Sequence, residues 1–536
     1  MGISNRNREE SHRQLTNQDY DLLVIGGGLT GASIALDASS RGMKVALIEQ
    51  KDYGNGASAQ FAPLLSTHHF PTKKIWHQAY TEKQLLAEHL SPFYKPVNML
   101  TLVYDHEIKQ KLLSKLRHTL SESLISSYFP KHLKLLSKKE VQMIEANVSE
   151  RKLKYGFSHQ DGVIDQCLMT IEILKKAYRF GTNMINYLKL VQFIYNDEQQ
   201  VTGVLAEDQV TGEVSAIYAS KIVNATGSQV ESVSQLDKSD DLLKSVAQYR
   251  KRIQLFFNQS DLAIDHTISF TDVVSQQMIT LTPYQHFTML TVSEPTSSIL
   301  QQKTVSEDEF THIVRALKRV IPHLCLDKSQ VIEQHVAYLI NQDSRGTGDI
   351  ITSTSGLITA IGAPIVFYRS YASQVVDRIA KDLKRTDNIL YSKSETKSMA
   401  IIIDDQGDQL NFKSYLSSTQ LSDKDIAFIL ARYGNQVSQF LPYLDEMGKT
   451  SKNDPLEPML SLLLRYALDH EGIYKPIDFL SRRLRYQLYR PFDMQQQLKP
   501  FLQQLASALA WTKEECSYYE RECRLWLNAH QASLEL

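Results

Sequence analysis

Four residues near the N-terminus have types and spacing that could do recognisable chemistry: Gly26, Gly28 and Gly31, in a GxGxxG arrangement, and Glu49, eighteen residues beyond the last glycine. Glycines so spaced allow a tight turn, a close approach of backbone to a pyrophosphate, and packing of a helix against a strand; the acid accepts hydrogen bonds from ribose hydroxyls. Such a site needs particular flanking elements. Leu22 to Ile25 and Val45 to Ile48 are apolar runs expected as strands, and the residues between them have the spacing of a helix whose N-terminus faces the phosphates. Strand, glycines, helix, second strand and acid thus occur in the order of a dinucleotide-binding βαβ unit. Glu49 favours an adenosine with a free 2′-hydroxyl over one with a 2′-phosphate.

Composition limits what else the chain does. With 536 residues it exceeds one ordinary hydrophobic core, so two or three domains are expected. Its 59 basic and 60 acidic side chains leave a net charge of −1, which gives no sign of a nucleic-acid partner. No apolar run reaches eighteen residues and the first nineteen residues carry no hydrophobic signal core, so a cytoplasmic protein is expected. Peripheral contact with the inner face of the cell membrane needs no such run. The four cysteines, Cys167, Cys325, Cys516 and Cys523, form no CxxC pair, so neither a disulfide framework nor a metal site is expected.

Along the chain, 167 to 180 has helical spacing, and 187 to 197, 201 to 208 and 213 to 226 read as strands joined by turns, the last closed by Ala-Thr-Gly at Gly227. Alternation from about 250 to 295 predicts an antiparallel sheet suited to carry a substrate site. Residues 307 to 320 read as a helix, and 356 to 362 as a buried strand that ends at Gly362 before another helix, a second place where backbone amides could meet a cofactor. The basic stretch 109 to 139 has the pattern of a solvated helical face, and the tail alternates helical segments with Pro and Gly breakers. The expected fold class is α/β, α+β overall: a Rossmann-like nucleotide-binding domain, an antiparallel substrate domain and a C-terminal helical domain. The expected division is 1–95, 151–235 and 336–385 for the nucleotide-binding part, 96–150 and 236–335 for the substrate part, 386–400 for a linker and 401–536 for the helical domain.

Several of these segments resemble the FAD-dependent glycerol-3-phosphate dehydrogenase and oxidase family. They are VIGGGLTGASIALDASSRG at 24–42, DGVIDQCLMTIEILKKAYRFGT at 161–182, VNATG at 223–227, SGLITAIG followed by Tyr368-Arg369, and, in the tail, RYG at 432–434 and PIDFLSRRLR at 476–485. The resemblance implies a flavoprotein that binds FAD in extended form, with Gly26, Gly28, Gly31, Ser58, Gly227 and Gly362 around it and Glu49 on the adenosine ribose. It implies oxidation of sn-glycerol 3-phosphate to dihydroxyacetone phosphate by hydride transfer to flavin N5, proton transfer to a base, and reoxidation by quinone or oxygen. A homodimer is a further expectation.

The sequence departs from that family where its charges should be. The expected Arg, Lys and His after Asp52-Tyr53 fall at Gln60, Pro63 and Ser66, an arginine falls at Ile340 and a lysine at Pro364. His68 and His69 remain as candidate bases, and Arg345 matches a serine-arginine pair and remains as a candidate anion grip. Arg432, Arg482, Arg483 and Arg485 could form a basic surface, although on an amphipathic helix most such charges are solvated. The alternatives are an FAD oxidoreductase of the same fold acting on another hydroxy or amino compound, or a catalytically inactive FAD-binding paralogue.

Overall fold

Buried runs of β-branched and aliphatic residues become parallel strands where both faces are covered, and alternating runs become antiparallel ones. Both kinds occur in the computed structural model, which describes residues 2–60, 63–65, 73–91, 93–104, 134–238, 249–296, 304–340, 347–402, 421–450, 455–489 and 493–531. Two compact units emerge, one made of 1–95, 164–247 and 340–526, the other of 96–163, 248–339 and 527–536. Strands are numbered along the chain across both units.

The first unit holds β1 (Tyr20–Ile25), β2 (Val45–Glu49), β6 (Asn183–Asn186), β7 (Leu188–Tyr195), β8 (Val201–Asp208), β9 (Val214–Asn224), β15 (Asp349–Thr352) and β16 (Ile358–Ile361). Their order is β15-β16-β9-β1-β2-β6, with β7 and β8 hanging from β9. β16, β9, β1, β2 and β6 are mutually parallel. Leu22, Val24, Val45 and Leu47 pack on one face under helices Leu29–Ser40, Gln166–Arg179 and Tyr368–Thr386. Leu23, Ile25, Ala46 and Ile48 pack on the other against the β7–β9 meander. The doubly covered sheet explains why these strands read as continuous apolar runs.

In the second unit the order is β14-β10-β13-β12-β11-β3-β5-β4. These strands are β3 (Tyr94–Tyr104), β4 (Lys134–Leu136), β5 (Leu153–Ile164), β10 (Tyr249–Asn258), β11 (Thr267–Thr271), β12 (Met278–Tyr284), β13 (Phe287–Thr296) and β14 (Glu333–Ile340). The run β10-β13-β12-β11 is antiparallel, as the alternation predicts. Ile253, Leu255, Phe257, Leu281 and Leu290 line one face, packed against Phe310, Ile313 and Leu317 of helix Glu307–Val320. A Ser306–Glu309 capping box starts that helix.

Two stretches depart from the expected division. Residues 153–163 lie in the second sheet as β5 rather than with the nucleotide-binding part, because Gly156 to Ser158 pair antiparallel with residues 134–136. Residues 134–136, the end of the expected basic helix, form β4 for the same reason; 105–133 lie outside the described residues. The tail forms helices Asp423–Tyr433, Leu441–Thr450, Pro458–His470, Met494–Leu509 and Lys513–Gln531 and clusters with the first unit. The 386–400 stretch is irregular but tied down: Thr396 is buried, and its hydroxyl and that of Ser394 bond Asp37.

Candidate functional site

The carboxyl ends of β1, β2, β9 and β16 meet at one edge of the parallel sheet, which is where open α/β sheets bind ligands. Gly26, Glu49, Gly227 and Gly362 all lie at or just beyond those ends. Gly26 has φ +112°, and a Cβ there would come within 2.7 Å of the Ala225 carbonyl oxygen. A Cβ on Gly31 would stand 1.9 Å from the Gly26 carbonyl oxygen, so only glycine lets the Leu29–Ser40 helix start this close to β1. First-turn helix amides have no intrahelical acceptor. The Leu29 amide donates to Ser58 Oγ at 3.0 Å, which places Ser58 against the same turn.

Glu49 closes the edge. Its Oε2 accepts from the Gly27 amide at 2.7 Å and its Oε1 from the Lys51 amide at 2.8 Å, and each oxygen retains a lone pair for a ribose hydroxyl. Burial pushes its pKa up, against the two amide bonds that pull it down. The close-packed glycines, the helix N-terminus and a half-buried carboxylate are a donor and acceptor set that fits a dinucleotide. Gly27, Glu49 and Ser58 would hold its pyrophosphate and ribose. Gly362 is followed by open space, with nothing within 4 Å of an added Cβ.

The loop that carries Ser58 is fixed from the C-terminal tail. Asp52 is fully buried and takes a two-pronged bond from Arg483, Nη1 to Oδ2 at 2.7 Å and Nη2 to Oδ1 at 2.8 Å, with Arg482 Nε on Oδ2 at 2.5 Å. Burial alone would raise the Asp52 pKa, but Arg483 and Arg482 outweigh it and hold the carboxyl below its usual range. Arg485 donates to the Ala59 carbonyl oxygen at 2.7 Å and to Asp165 Oδ1 at 3.2 Å; Asp165 also caps the Gln166–Arg179 helix by accepting from the Cys167 and Leu168 amides. From that helix, buried Lys175 donates to Glu172 at 2.7 Å and to the Tyr466 hydroxyl at 2.8 Å.

These arginines correct the expectation of a basic surface. Arg483 and Arg485 are fully buried, and Arg432 is 8% exposed and donates to the Arg482 carbonyl oxygen. Instead of one amphipathic helix, PIDFLSRRLR forms a π-helical turn, Asp478–Arg483, followed by Arg485 at φ +54°. The wider turn lets neighbouring arginines reach Asp52 and Asp165 together. No short motif could have revealed this, because the partners lie more than 300 positions apart.

Of the remaining candidates, Arg369 pairs with Glu82 and Tyr368 is buried, so both serve packing. Gln60, in an expected arginine position, is buried. His68, His69 and Arg345 lie outside the described residues.

Residues 21–363 match the FAD dependent oxidoreductase family, and 394–516 match the C-terminal domain of alpha-glycerophosphate oxidase. The chain belongs to the FAD-dependent oxidoreductase family. It is 28% identical to an aerobic glycerol-3-phosphate dehydrogenase of Staphylococcus haemolyticus, over 98% of this chain and 97% of that protein. A crystal structure of glycerol-3-phosphate dehydrogenase from Bacillus halodurans with FAD shares its fold at TM-score 0.80 and 24% identity, covering 99% of this chain and 98% of that one. The L-alpha-glycerophosphate oxidase of Mycoplasma pneumoniae shares the fold at TM-score 0.55 and 16% identity, over 70% of this chain and 97% of that one. This flavoprotein family accounts for the glycine cradle and Glu49, and FAD is its cofactor.

Proposed function

We propose that this flavoenzyme oxidises sn-glycerol 3-phosphate to dihydroxyacetone phosphate. The observation that carries the reading is the nearly end-to-end match to an aerobic glycerol-3-phosphate dehydrogenase, tail domain included. FAD, when bound, supplies the hydride acceptor. Gly26, Gly28 and Gly31 leave room for its pyrophosphate, Glu49 receives its ribose, and the Arg482–Arg483–Asp52 clamp keeps the Ser58 loop in place. On the family resemblance we assign the proton-accepting role to His68 or His69, an anion contact to Arg345, electron delivery to quinone or oxygen, and a homodimer in the cytoplasm or in peripheral contact with the inner membrane face.

A second reading, oxidation of another hydroxy or amino compound, is favoured by Ile340 and Pro364, which stand where the resemblance expects cations. An anaerobic absorption spectrum of the purified holoenzyme tests both. Glycerol 3-phosphate is expected to bleach the oxidised-flavin band. Bleaching only by a different hydroxy or amino substrate would transfer the assignment to the second reading, and a flavin that no substrate reduces would mark an inactive paralogue.

A further inference from the structure

The antiparallel sheet of the second unit has an apolar face, occupied by helix Glu307–Val320, and an opposite one that carries polar side chains beside the buried Phe256, Phe287 and Met289. Strand β10 shows the alternation plainly. Lys251 pairs with Glu309 of that helix, and Ile253, Leu255 and Phe257 follow it onto the apolar face, so Arg250, Arg252 and Gln254 belong to the opposite face. Pairing of β10 with β13 runs without a bulge from Tyr249 to Asn258, so that assignment holds along the strand.

Across this opposite face the register aligns one row of hydrogen-bonding side chains: Thr101, Ser269, Thr280, Thr291 and Gln254, each directly opposite the next on neighbouring strands. Ser269, Thr280 and Gln254 are buried. Buried hydroxyls and amides cost stability unless they are hydrogen-bonded; here Thr280 Oγ1 donates to Ser269 Oγ at 3.5 Å and Gln254 Nε2 to Met289 Sδ at 3.4 Å. Beside the row, one step along β10, stands Arg252 opposite Ser293, with Arg250 next on the same face, roughly 7 Å further along the strand. The neighbouring strand, β14, ends at Ile340, where the resemblance expects the anion-binding arginine.

We propose that Arg252, assisted by Arg250, holds the phosphate of the substrate, replacing from β10 the cations absent at Ile340 and Pro364, while Gln254 and Thr291, the end of the row beside it, receive the substrate's hydroxyls. The proposal rests on the glycerol 3-phosphate reading and deepens it. Two guanidinium groups on one face can grip three phosphate oxygens with charge-assisted bonds, and an amide beside a hydroxyl complements a polyol. Burial, and after it the like charge of Arg250, lowers the Arg252 pKa to about 10. The group therefore stays charged at neutral pH and gains from a bound anion.

The test uses the FAD-loaded wild type and the variants R252Q, R252K and R250Q. Inorganic phosphate binding is read by calorimetry, and oxidation of glycerol 3-phosphate is read as KM and kcat separately. R252Q should raise the phosphate Kd and the KM for glycerol 3-phosphate about tenfold or more. FAD content and Tm should stay as in the wild type. R252K should retain part of the affinity, and R250Q should lose less than R252Q. If R252Q does not fold, R252K and R250Q carry the same comparison. An unchanged phosphate Kd in the arginine variants, or no phosphate binding by the wild type, overturns the proposal. A wild type that binds phosphate through Arg252 yet leaves the flavin oxidised with glycerol 3-phosphate sinks the functional reading and upholds the anion site.

Discussion

Arginines are buried or half-buried in two regions of this molecule, and their surroundings differ. Arg482 and Arg483 meet Asp52, Asp478 and Glu471 within one network, and although burial opposes it, those acids raise the pKa of both arginines. Arg250 and Arg252 stand side by side on a sheet face among hydroxyls, and burial with like charge lowers the pKa of Arg252. A cation whose field is already answered by acids has little to offer a ligand; its energy goes into holding chain segments together. A cation in an environment that disfavours its charge gains most when an anion arrives. The motif-bearing arginines of the tail are therefore structural, and the unheralded ones of β10 are the candidates for substrate.

Substitution should separate the two regions. The largest effect is expected for R483A, which breaks the two-pronged bond and leaves the buried Asp52 carboxylate to Arg482 alone; unfolding in urea should show a loss of roughly 3–5 kcal/mol, with FAD released as the Ser58 loop loosens. R252Q should be the opposite case, with KM for glycerol 3-phosphate raised about tenfold, equivalent to about 1.4 kcal/mol, and urea stability held. If R252Q unfolds the protein as readily as R483A does, the contrast fails.

Acid separates them further. An unfolded aspartate titrates near about 3.9, and Asp52 is held lower in the folded protein, so its stabilisation is complete above that pH and is lost as pH falls through the folded value. The wild type should lose stability along this acid limb, R252Q should keep it, and D52N should show a shallower one, since Asp165 and Asp272 are also held low; stability measured from pH 6 downward would decide. The smallest effect belongs to Gly362, where an added methyl meets nothing. G362A should leave stability within about 0.5 kcal/mol, so any loss of bound FAD in that variant would report contact with the cofactor rather than damage to the fold.

Much of the fold is legible locally. Strand β8 and helix Glu307–Val320 begin and end where the pattern predicts, and β1 and β2 fall within a residue or two, because burial on one or both faces writes a period of 2 or 3.6 into the chain. The antiparallel β10 to β13 region follows its alternation, whereas 153–163 is misplaced because a strand's period does not name its partner.

The sequence by itself determined the nucleotide-binding half of the site, since Gly26, Gly28, Gly31 and Glu49 act through backbone geometry and contacts within one βαβ unit. Only the tertiary structure decided what the arginines do. Arg483 reads like any solvated helical charge until a π-helical turn brings it to Asp52, 431 positions away. Arg252 reads like one of three basic residues in YRKR until the register sets it opposite Ser293, beside a row of four hydroxyls and one amide drawn from five strands. Charge is a property of the residue, but its use depends on which distant groups share its low-dielectric surroundings, and no local spacing encodes that.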